Sequence, residues 1–425
     1  MNTLSMIEEL ARRSGKPVKR VGKVNRDYEA TKVALSNRDS LILFELSESD
    51  FTGYVNLVTS RKDIYGLFNA DNDQSIYETV LNALRNPAKL DIVDFNDYYS
   101  QIDYTLESLP FIRFYRDDGS RYLTSSIYII CYENVCNASY HRTMYKSPEE
   151  APIRVVPRQL HYLMNKYHER GQDAPVALIL GADPYFELAS AMTPPLGVFE
   201  LAVAASLSGY NKVVKTPLFG IPVPANASVV VEGYISREYS EEGPFTDILM
   251  LLDGKRNQPV FKPLRFYVNK LFPPFFHAIV PGSWEHQFLM GFPREPLIFE
   301  EVRKVAPGVV KVRLTEGGGG WLHVAISLKQ SSPGEARLAA FAAITAHPSV
   351  KHVFIVDEDI DVDNPLEVEW AIATRLKGGD DIIILKNVKG STLEPRSRDG
   401  VGDKVIFLAV KPFNEPWEKY RRVAY

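Results

Sequence analysis

The sequence predicts a mixed α/β protein in three segments: an N-terminal α/β segment, a strand-rich middle and a C-terminal α/β segment. Three observations carry this. Residues 1–105 alternate helix-like and strand-like stretches. From about 106 the chain turns strand-rich, with long β-branched and aromatic runs. From about 301 strands and helices alternate again, the pattern that a parallel strand pair with a covering helix requires.

The elements follow in order. The opening stretch "MNTLSMIEELARRSGK" reads as an amphipathic helix, with acids early and Arg and Lys late. "DSLILFEL" is strand-like and "SIYETVLNALRN" helix-like. "PFIRFYRDDGSRYLTSSIYIICYE" reads as a hairpin turning at "DDGS". "APVALILGAD" has the continuous apolar run of a buried strand. "VFELAVAASLSGYNK" is a helix closed by Gly209, and "ASVVVEGYISREYS" another strand. "KLFPPFFHAIVPGSW" reads as loop and edge. The strands "GVVKVRLT", "WLHVAISL", "HVFIVDEDI" and "DIIILKNV" alternate with the helices "GEARLAAFAAITAHPS" and "PLEVEWAIATRL", and imply at least one parallel pair. The segments are expected at 1–105, 106–300 and 301–425.

Composition excludes several classes. With 425 residues, 45% hydrophobic and 24% charged, the chain has ordinary globular proportions. A net charge of -4 gives no basic footprint for nucleic acid. No apolar run approaches the roughly 18 residues of a membrane span. The only cysteines, Cys131 and Cys136, make neither a disulfide scaffold nor a zinc pattern. A cytoplasmic protein of a reducing compartment is expected.

Several motifs look chemical and read better as structure. "EGGGGW" lacks the Gly-Lys-Ser/Thr ending of a phosphate loop and is expected to be a turn. "DEDIDVDN" has Val362 and Val368 where a calcium loop needs Gly and Glu; a strand end followed by an Asp363 or Asn364 cap before Pro365 fits better. Asn137, His161 and Glu200 are candidate metal ligands, a set of oxygens and one nitrogen that suits Mn or Mg better than zinc. The bland reading is a polar strand end, a surface helix face and a first-turn acid. Arg142, Glu242 and Asp247 are a candidate charge cluster. An Arg beside one carboxylate lowers its pKa, and a second carboxylate nearby is then pushed up. Residues five apart point to opposite faces of a straight strand, so Gly243-Pro244 must supply a bend for both acids of "EEGPFTD" to face one place. The bland reading of that stretch is a solvated turn.

Together these residues resemble the UbiD-type reversible decarboxylases. The resemblance runs from about 106 onward through "NASYHR", "ASAMTPPLGVFELAVAASLSGYNK", "PANASVVVEGYISREYSEEGPFTD", "HAIVPGSWEH", "VFIVDEDIDVDNPLEVEWAIATR" and the closing "GDKV". It implies a central split-barrel flavin-binding segment and a C-terminal segment that joins copies into a homo-oligomer. It implies prenylated FMN, made by a separate flavin prenyltransferase, with a divalent cation, usually Mn2+, and possibly K+. By the same resemblance Asn137, His161 and Glu200 hold the metal against the cofactor phosphate. Tyr140, His141, Arg142, Ala191, Met192 and Lys404 contact the cofactor. Arg142, Glu242 and Asp247 are catalytic, with Asp247 the proton donor. Thr246 and Thr193 depart from the commoner Gly and Pro.

The chemistry these residue types suit is loss of carbon dioxide from an α,β-unsaturated acid, with an organic cofactor as electron sink. Short archaeal members of the family resemble this chain in length and layout, which implies trans-anhydromevalonate 5-phosphate as substrate and isopentenyl phosphate as product, in isoprenoid supply. Lys212, Lys215 and His141 are the candidate cations for its phosphate. The alternatives are a hydroxybenzoate-like aromatic acid, a flavin-binding oxidoreductase or carrier, and a structural subunit of a larger carboxylase. The last two have no use for the acid pair.

Overall fold

The computed structural model describes residues 3–423. They form two compact units, one of the residues up to Asp71 with Asn82–Leu289, the other of Asn72–Leu81 with the residues from Met290 onward. The boundary read near residue 105 falls inside the first unit. The physical reason is a shared core: Phe44 and Phe51 from the first hundred residues pack in one cluster with Tyr128, Leu178, Val231, Phe261 and Phe276. Phe276 meets Phe44 and Phe51 edge-on, with centroids at 6.0 and 6.1 Å. Such pairs add about 0.5–1.5 kcal/mol each beyond area burial.

Within this unit the strands Val18–Val24, Leu41–Leu46, Thr52–Val55 and Phe275–His277 make a four-stranded sheet. The last of these lies in "KLFPPFFHAIVPGSW". It is a buried strand parallel to Thr52–Val55 and lies at the edge of this sheet, as expected; the part read as loop holds a three-residue strand. A second, seven-stranded sheet is antiparallel throughout. Its path runs Ala151–Pro152, Arg256–Asn269, Val229–Glu242, Ala174–Leu180, Ile127–Tyr132, Val135–Tyr140, with Tyr99–Ile102 added on Arg256–Asn269. The sheet is open: among the described residues no strand closes it into a ring. Ala174–Leu180 sits mid-sheet with six of its seven residues buried, which is why its sequence is apolar on both faces.

The "DDGS" stretch is not a hairpin turn. Its flanks make a single bridge, Ile112 with Tyr122, and the loop between docks on "EEGPFTD" instead. Cys131 and Cys136 are directly opposite in the hairpin of Ile127–Tyr132 and Val135–Tyr140, and they are disulfide-bonded. The hairpin register brings their Cα atoms to 4.1 Å, a pairing that the expected reducing compartment did not suggest.

The second unit holds a five-stranded sheet, Val309–Leu314, His323–Leu328, His352–Asp357, Val401–Ala409, Ile382–Lys389 in spatial order. Its three central strands are parallel, as the alternating pattern requires. Asn364 caps the helix Pro365–Arg375 by accepting from the Leu366 N–H at 3.1 Å. Three of the five acids of "DEDIDVDN" are held by arginines: Asp357 and Asp359 pair with Arg375 at 2.7 and 2.6 Å, and Asp363 pairs with Arg313. "EGGGGW" is a short 3-10 turn capped by Thr315. Among the described residues no helix is long and apolar enough to cross a membrane.

Candidate active site

Arg142 follows the strand Val135–Tyr140, and Glu242 ends the long strand Val229–Glu242. The guanidinium grips the carboxylate with two parallel bonds, Nε to Oε1 at 2.8 Å and Nη2 to Oε2 at 2.9 Å. Glu242 is fully buried. The same Nη2 also reaches Asp253 Oδ2 at 2.8 Å. Asp253 was not singled out in the sequence. It lies on the two-residue strand Leu252–Asp253, whose pairing with Phe245–Thr246 carries it to Arg142. Asp253 is held in turn by Arg256, and the Phe245 ring lies 4.6 Å from the Arg142 guanidinium carbon.

Asp247 is buried at the end of the same turn. Its Oδ1 accepts the N–H of Leu249 at 2.8 Å and of Leu251 at 3.0 Å. Oδ2 has no hydrogen-bond partner among the described residues. Burial pushes this carboxyl up from the ordinary range; the nearby Asp253 charge adds to the rise, while Arg142 and the two backbone bonds oppose it. So one acid is locked on Arg142 and the other is biased toward holding a proton.

The turn is fixed from outside by the "DDGS" loop. Asp118 Oδ1 accepts both the N–H and the hydroxyl of Thr246, at 2.8 and 3.0 Å, which gives Thr246 a structural role where glycine has none. Gly119 N–H donates to Pro244 O at 2.7 Å. A Cβ on Gly119 would stand 2.4 Å from the Gly243 carbonyl, so only glycine allows this approach. Gly243 itself has φ of 100°, the left-handed region that supplies the expected bend.

On the other side of the hairpin, Asn137 and Glu200 meet. Asn137 Nδ2 donates to Glu200 Oε1 at 2.7 Å, and the Ala138 N–H donates to Glu200 Oε2 at 2.7 Å. Glu200 opens the helix Glu200–Ser208 and is 1% exposed, with no cationic partner among its contacts. Burial pushes its carboxyl up to about 7 against those hydrogen bonds. His161 does not join them by any hydrogen bond: its ring contacts Asn165 on its own helix, at 3.3 Å. The residue that reaches Asn137 is Gln159, with Oε1 at 3.2 Å from Asn137 Nδ2.

The other expected residues separate by chemistry. Tyr140 Oη is buried without a hydrogen-bond partner, and so are Ser190 Oγ, next to Ala191 and Met192, and Thr124 Oγ1. His141 donates or accepts at both ring nitrogens, to Arg154 O and Ser139 Oγ, each at 2.9 Å. Burial lowers its pKa to about 4, with Arg154 and Arg158 adding to the fall. That burial disfavours the charged imidazole which a phosphate contact would need. Lys212 and Lys215 are the exposed ends of one short strand. In the second unit, Lys404 is buried and its amine donates to the carbonyls of Pro348, at 2.6 Å, and Val350. Burial lowers its pKa to about 8.

"HAIVPGSWEH" closes on itself. His277 Nε2 lies 2.9 Å from Glu285, and Nδ1 2.7 Å from Glu187 on the helix Pro184–Ala191. Burial alone would lower the His277 pKa; the two carboxylates overcome it and raise it to about 10. Tyr54 stacks on this imidazolium at 4.3 Å. The cluster ties the strand Phe275–His277 to the helix that ends at Ala191 and Met192.

Known proteins resemble this chain in both sequence and fold. Residues 91–284 match the UbiD family described as 3-octaprenyl-4-hydroxybenzoate carboxy-lyase Rift-related domain, and residues 287–409 match its C-terminal domain. Anhydromevalonate phosphate decarboxylase of Aeropyrum pernix is 43% identical, over 85% of this chain and 82% of its own length. The enzyme of that name from Methanothermobacter thermautotrophicus is 37% identical, over 94% and 95%. The solved structure of the UbiD-class enzyme HmfF from Pelotomaculum thermopropionicum in complex with FMN superposes with a TM-score of 0.94 at 31% identity, over 99% of this chain and 97% of that one. Its evolved dimeric form in complex with prFMN superposes at 0.90 with 28% identity, over 100% and 97%. The chain belongs to the UbiD family of carboxy-lyases.

Proposed function

We propose that the protein is a prenylated-FMN-dependent decarboxylase that converts trans-anhydromevalonate 5-phosphate to isopentenyl phosphate in isoprenoid supply. The observation that carries the decarboxylase chemistry is the division of labour around Arg142: Glu242 and Asp253 take its guanidinium, and Asp247 is left with a raised pKa and a free Oδ2. The substrate rests on the relatives named anhydromevalonate phosphate decarboxylase.

The residues present fit the flavin and its cation. Buried hydroxyls at Thr124, Tyr140 and Ser190 lack partners and suit a polar ligand. Glu200 is a buried carboxylate without a countercharge, which suits a divalent metal such as Mn2+. Tyr140, Arg142, Ala191 and Met192 would line the ring system, and Asn137 and Glu200 would hold the cation at the phosphate. K+ would be a further counterion of that phosphate. When bound, the cofactor supplies the electron sink for the carbon–carboxylate bond that breaks. The chain's own part is different. Arg142 holds Glu242 and Asp253 in place. Asp247 holds a proton at Oδ2 and delivers it to the substrate carbon that carbon dioxide leaves. Arg154 and Arg158, flanking His141, supply positive charge for a phosphate dianion. The cofactor comes from a separate flavin prenyltransferase, and the enzyme works as a homo-oligomer in the cytoplasm.

The test is co-production with a flavin prenyltransferase, followed by carbon dioxide release from three acids. Turnover of anhydromevalonate phosphate with almost none of its dephosphorylated form supports the proposal. Equal rates on both remove the phosphate reading. Turnover of a hydroxybenzoate alone moves the function toward the phenolic acid decarboxylases, one of which, from Escherichia coli O157:H7, is 32% identical over 65% of this chain.

A further inference from the structure

We infer that the third protein ligand of the cation at the Asn137–Glu200 pair is the side-chain amide oxygen of Gln159, and that His161 is not a ligand, so that the protein offers the metal oxygen atoms alone. This rests on the reading of a cofactor-side cation given above.

Gln159 is the first residue of the helix Gln159–His168. Its Nε2 donates to the carbonyl of Pro194 at 2.5 Å. That bond fixes the amide and aims Oε1 at Asn137. Pro194 belongs to the "TPPLGVF" loop that delivers Glu200, so one contact positions two of the three residues. Asn137 Nδ2 stands between Gln159 Oε1, at 3.2 Å, and Glu200 Oε1, at 2.7 Å. An NH2 group gripped by two acceptors marks the place where a cation would be attracted. Turning the Asn137 amide by half a turn exchanges its nitrogen and oxygen, which are nearly the same size. Oδ1 then joins Gln159 Oε1 and Glu200 Oε1 around one point. The Nδ2 atom moves to Ser139 Oγ, which now donates to Asn137 Oδ1 at 2.9 Å and can equally accept. Glu200 Oε2 stays on the Ala138 N–H, leaving Oε1 for the metal.

His161 lies two residues further along the helix, roughly 200° round it from Gln159. Its ring is engaged with Asn165, one turn on. Two neutral amides and one carboxylate make a hard, weakly charged site. Such a site suits Mg2+ or Mn2+ and leaves charge to be balanced by a phosphate.

The experiment uses Mn2+ in the holoenzyme, read by metal content, flavin absorbance and pulsed electron paramagnetic resonance. The wild type is expected to hold Mn2+ without an imidazole nitrogen coupling. His161→Ala is expected to keep its metal and flavin. Gln159→Leu is expected to lose on the order of 10–100-fold in Mn2+ affinity, the range found for groups that support a metal site. Gln159→His is expected to restore binding and introduce the nitrogen coupling, which a purely structural role for Gln159 would not do. Circular dichroism of each variant separates metal loss from unfolding. An imidazole coupling in the wild type that disappears in His161→Ala would overturn the inference, as would full Mn2+ content in Gln159→Leu. A wild type that retains flavin but holds no divalent metal would remove the cation reading itself, and this inference with it.

Discussion

Replacing Asp247 by Asn tests the site most sharply, because the structure separates what the substitution keeps from what it removes. Asp247 Oδ1 accepts two backbone N–H groups, from Leu249 and Leu251, and an Asn carbonyl can accept both. Only Oδ2 changes, from an oxygen that can carry a proton to an NH2 that cannot give one up at neutral pH. The turn therefore stays in place and the proton is lost. A positioned general acid contributes about 10²–10⁴ in rate, or ~2.7–5.4 kcal/mol of barrier. Asp247→Asn should lose that much turnover with flavin content unchanged, and solvent-deuterium uptake into product should fall in parallel. Stability moves the other way. A carboxyl whose folded pKa is raised loses stability as pH climbs from its unfolded value, near 4, through the folded one. Asn removes that loss, so the variant should be no less stable than the wild type at pH 7 in chemical denaturation. Turnover within about threefold of wild type, with cofactor loaded and on the 1.4 kcal/mol-per-decade scale, would refute the assignment of Asp247 as donor.

Asp253→Asn removes the negative charge that helps hold Asp247 protonated and releases Arg142 charge, so the Asp247 pKa should drop. Activity that needs the protonated acid is lost as pH rises through that pKa, and the falling limb of the pH–rate profile should shift to lower pH. Glu285→Gln leaves His277 with one carboxylate and costs Asn56 or Val58 its acceptor; breaking such a buried pair should cost about 3–5 kcal/mol in denaturant titration. Because the His277 pKa is raised to about 10, its stabilisation is complete below the unfolded value near 6.5 and is lost as pH climbs through about 10, so His277→Gln should flatten the alkaline fall in stability. The Cys131–Cys136 loop is short, with a sequence separation of 5, so Cys131→Ser with Cys136→Ser should cost no more than about 2 kcal/mol by the loop-entropy relation.

Much of this was legible because it depends on local pattern. The long strand Val229–Glu242, the buried Ala174–Leu180 and the helix closed by Gly209 are stated by periodicity and punctuation. The acids of "EEGPFTD" stand out as two carboxylates either side of a Gly-Pro bend. What was hidden depends on register. Asp253 reaches Arg142 only through the pairing of Phe245 with Asp253, two residues that no periodicity links. Gln159 carries no charge to draw notice, and its neighbour His161 draws it instead. The docking of "DDGS" on the acid turn joins stretches more than a hundred positions apart; its one trace in sequence is the Asp-Asp-Gly that a tight loop favours. The cysteine pair lies across a turn whose register the spacing alone does not fix.

The opposite treatment of the two acids follows from where one guanidinium spends its charge. Glu242 is fully buried and meets both nitrogens of the Arg142 fork, so its charge is answered at two points. Asp253 takes a second bond from Nη2 and is further held by Arg256. Little of the Arg142 charge remains for Asp247, which receives only neutral backbone N–H groups and feels Asp253 as a like charge. The bend at Gly243 brings the two acids of "EEGPFTD" to the same place, and the short strand at Asp253 makes them unequal there. An enzyme that must hold a fixed charge and a ready proton within one turn needs both devices. A solvated turn needs neither, and would not bury Glu242, dock Thr246 on Asp118, or press Gly119 against the Gly243 carbonyl.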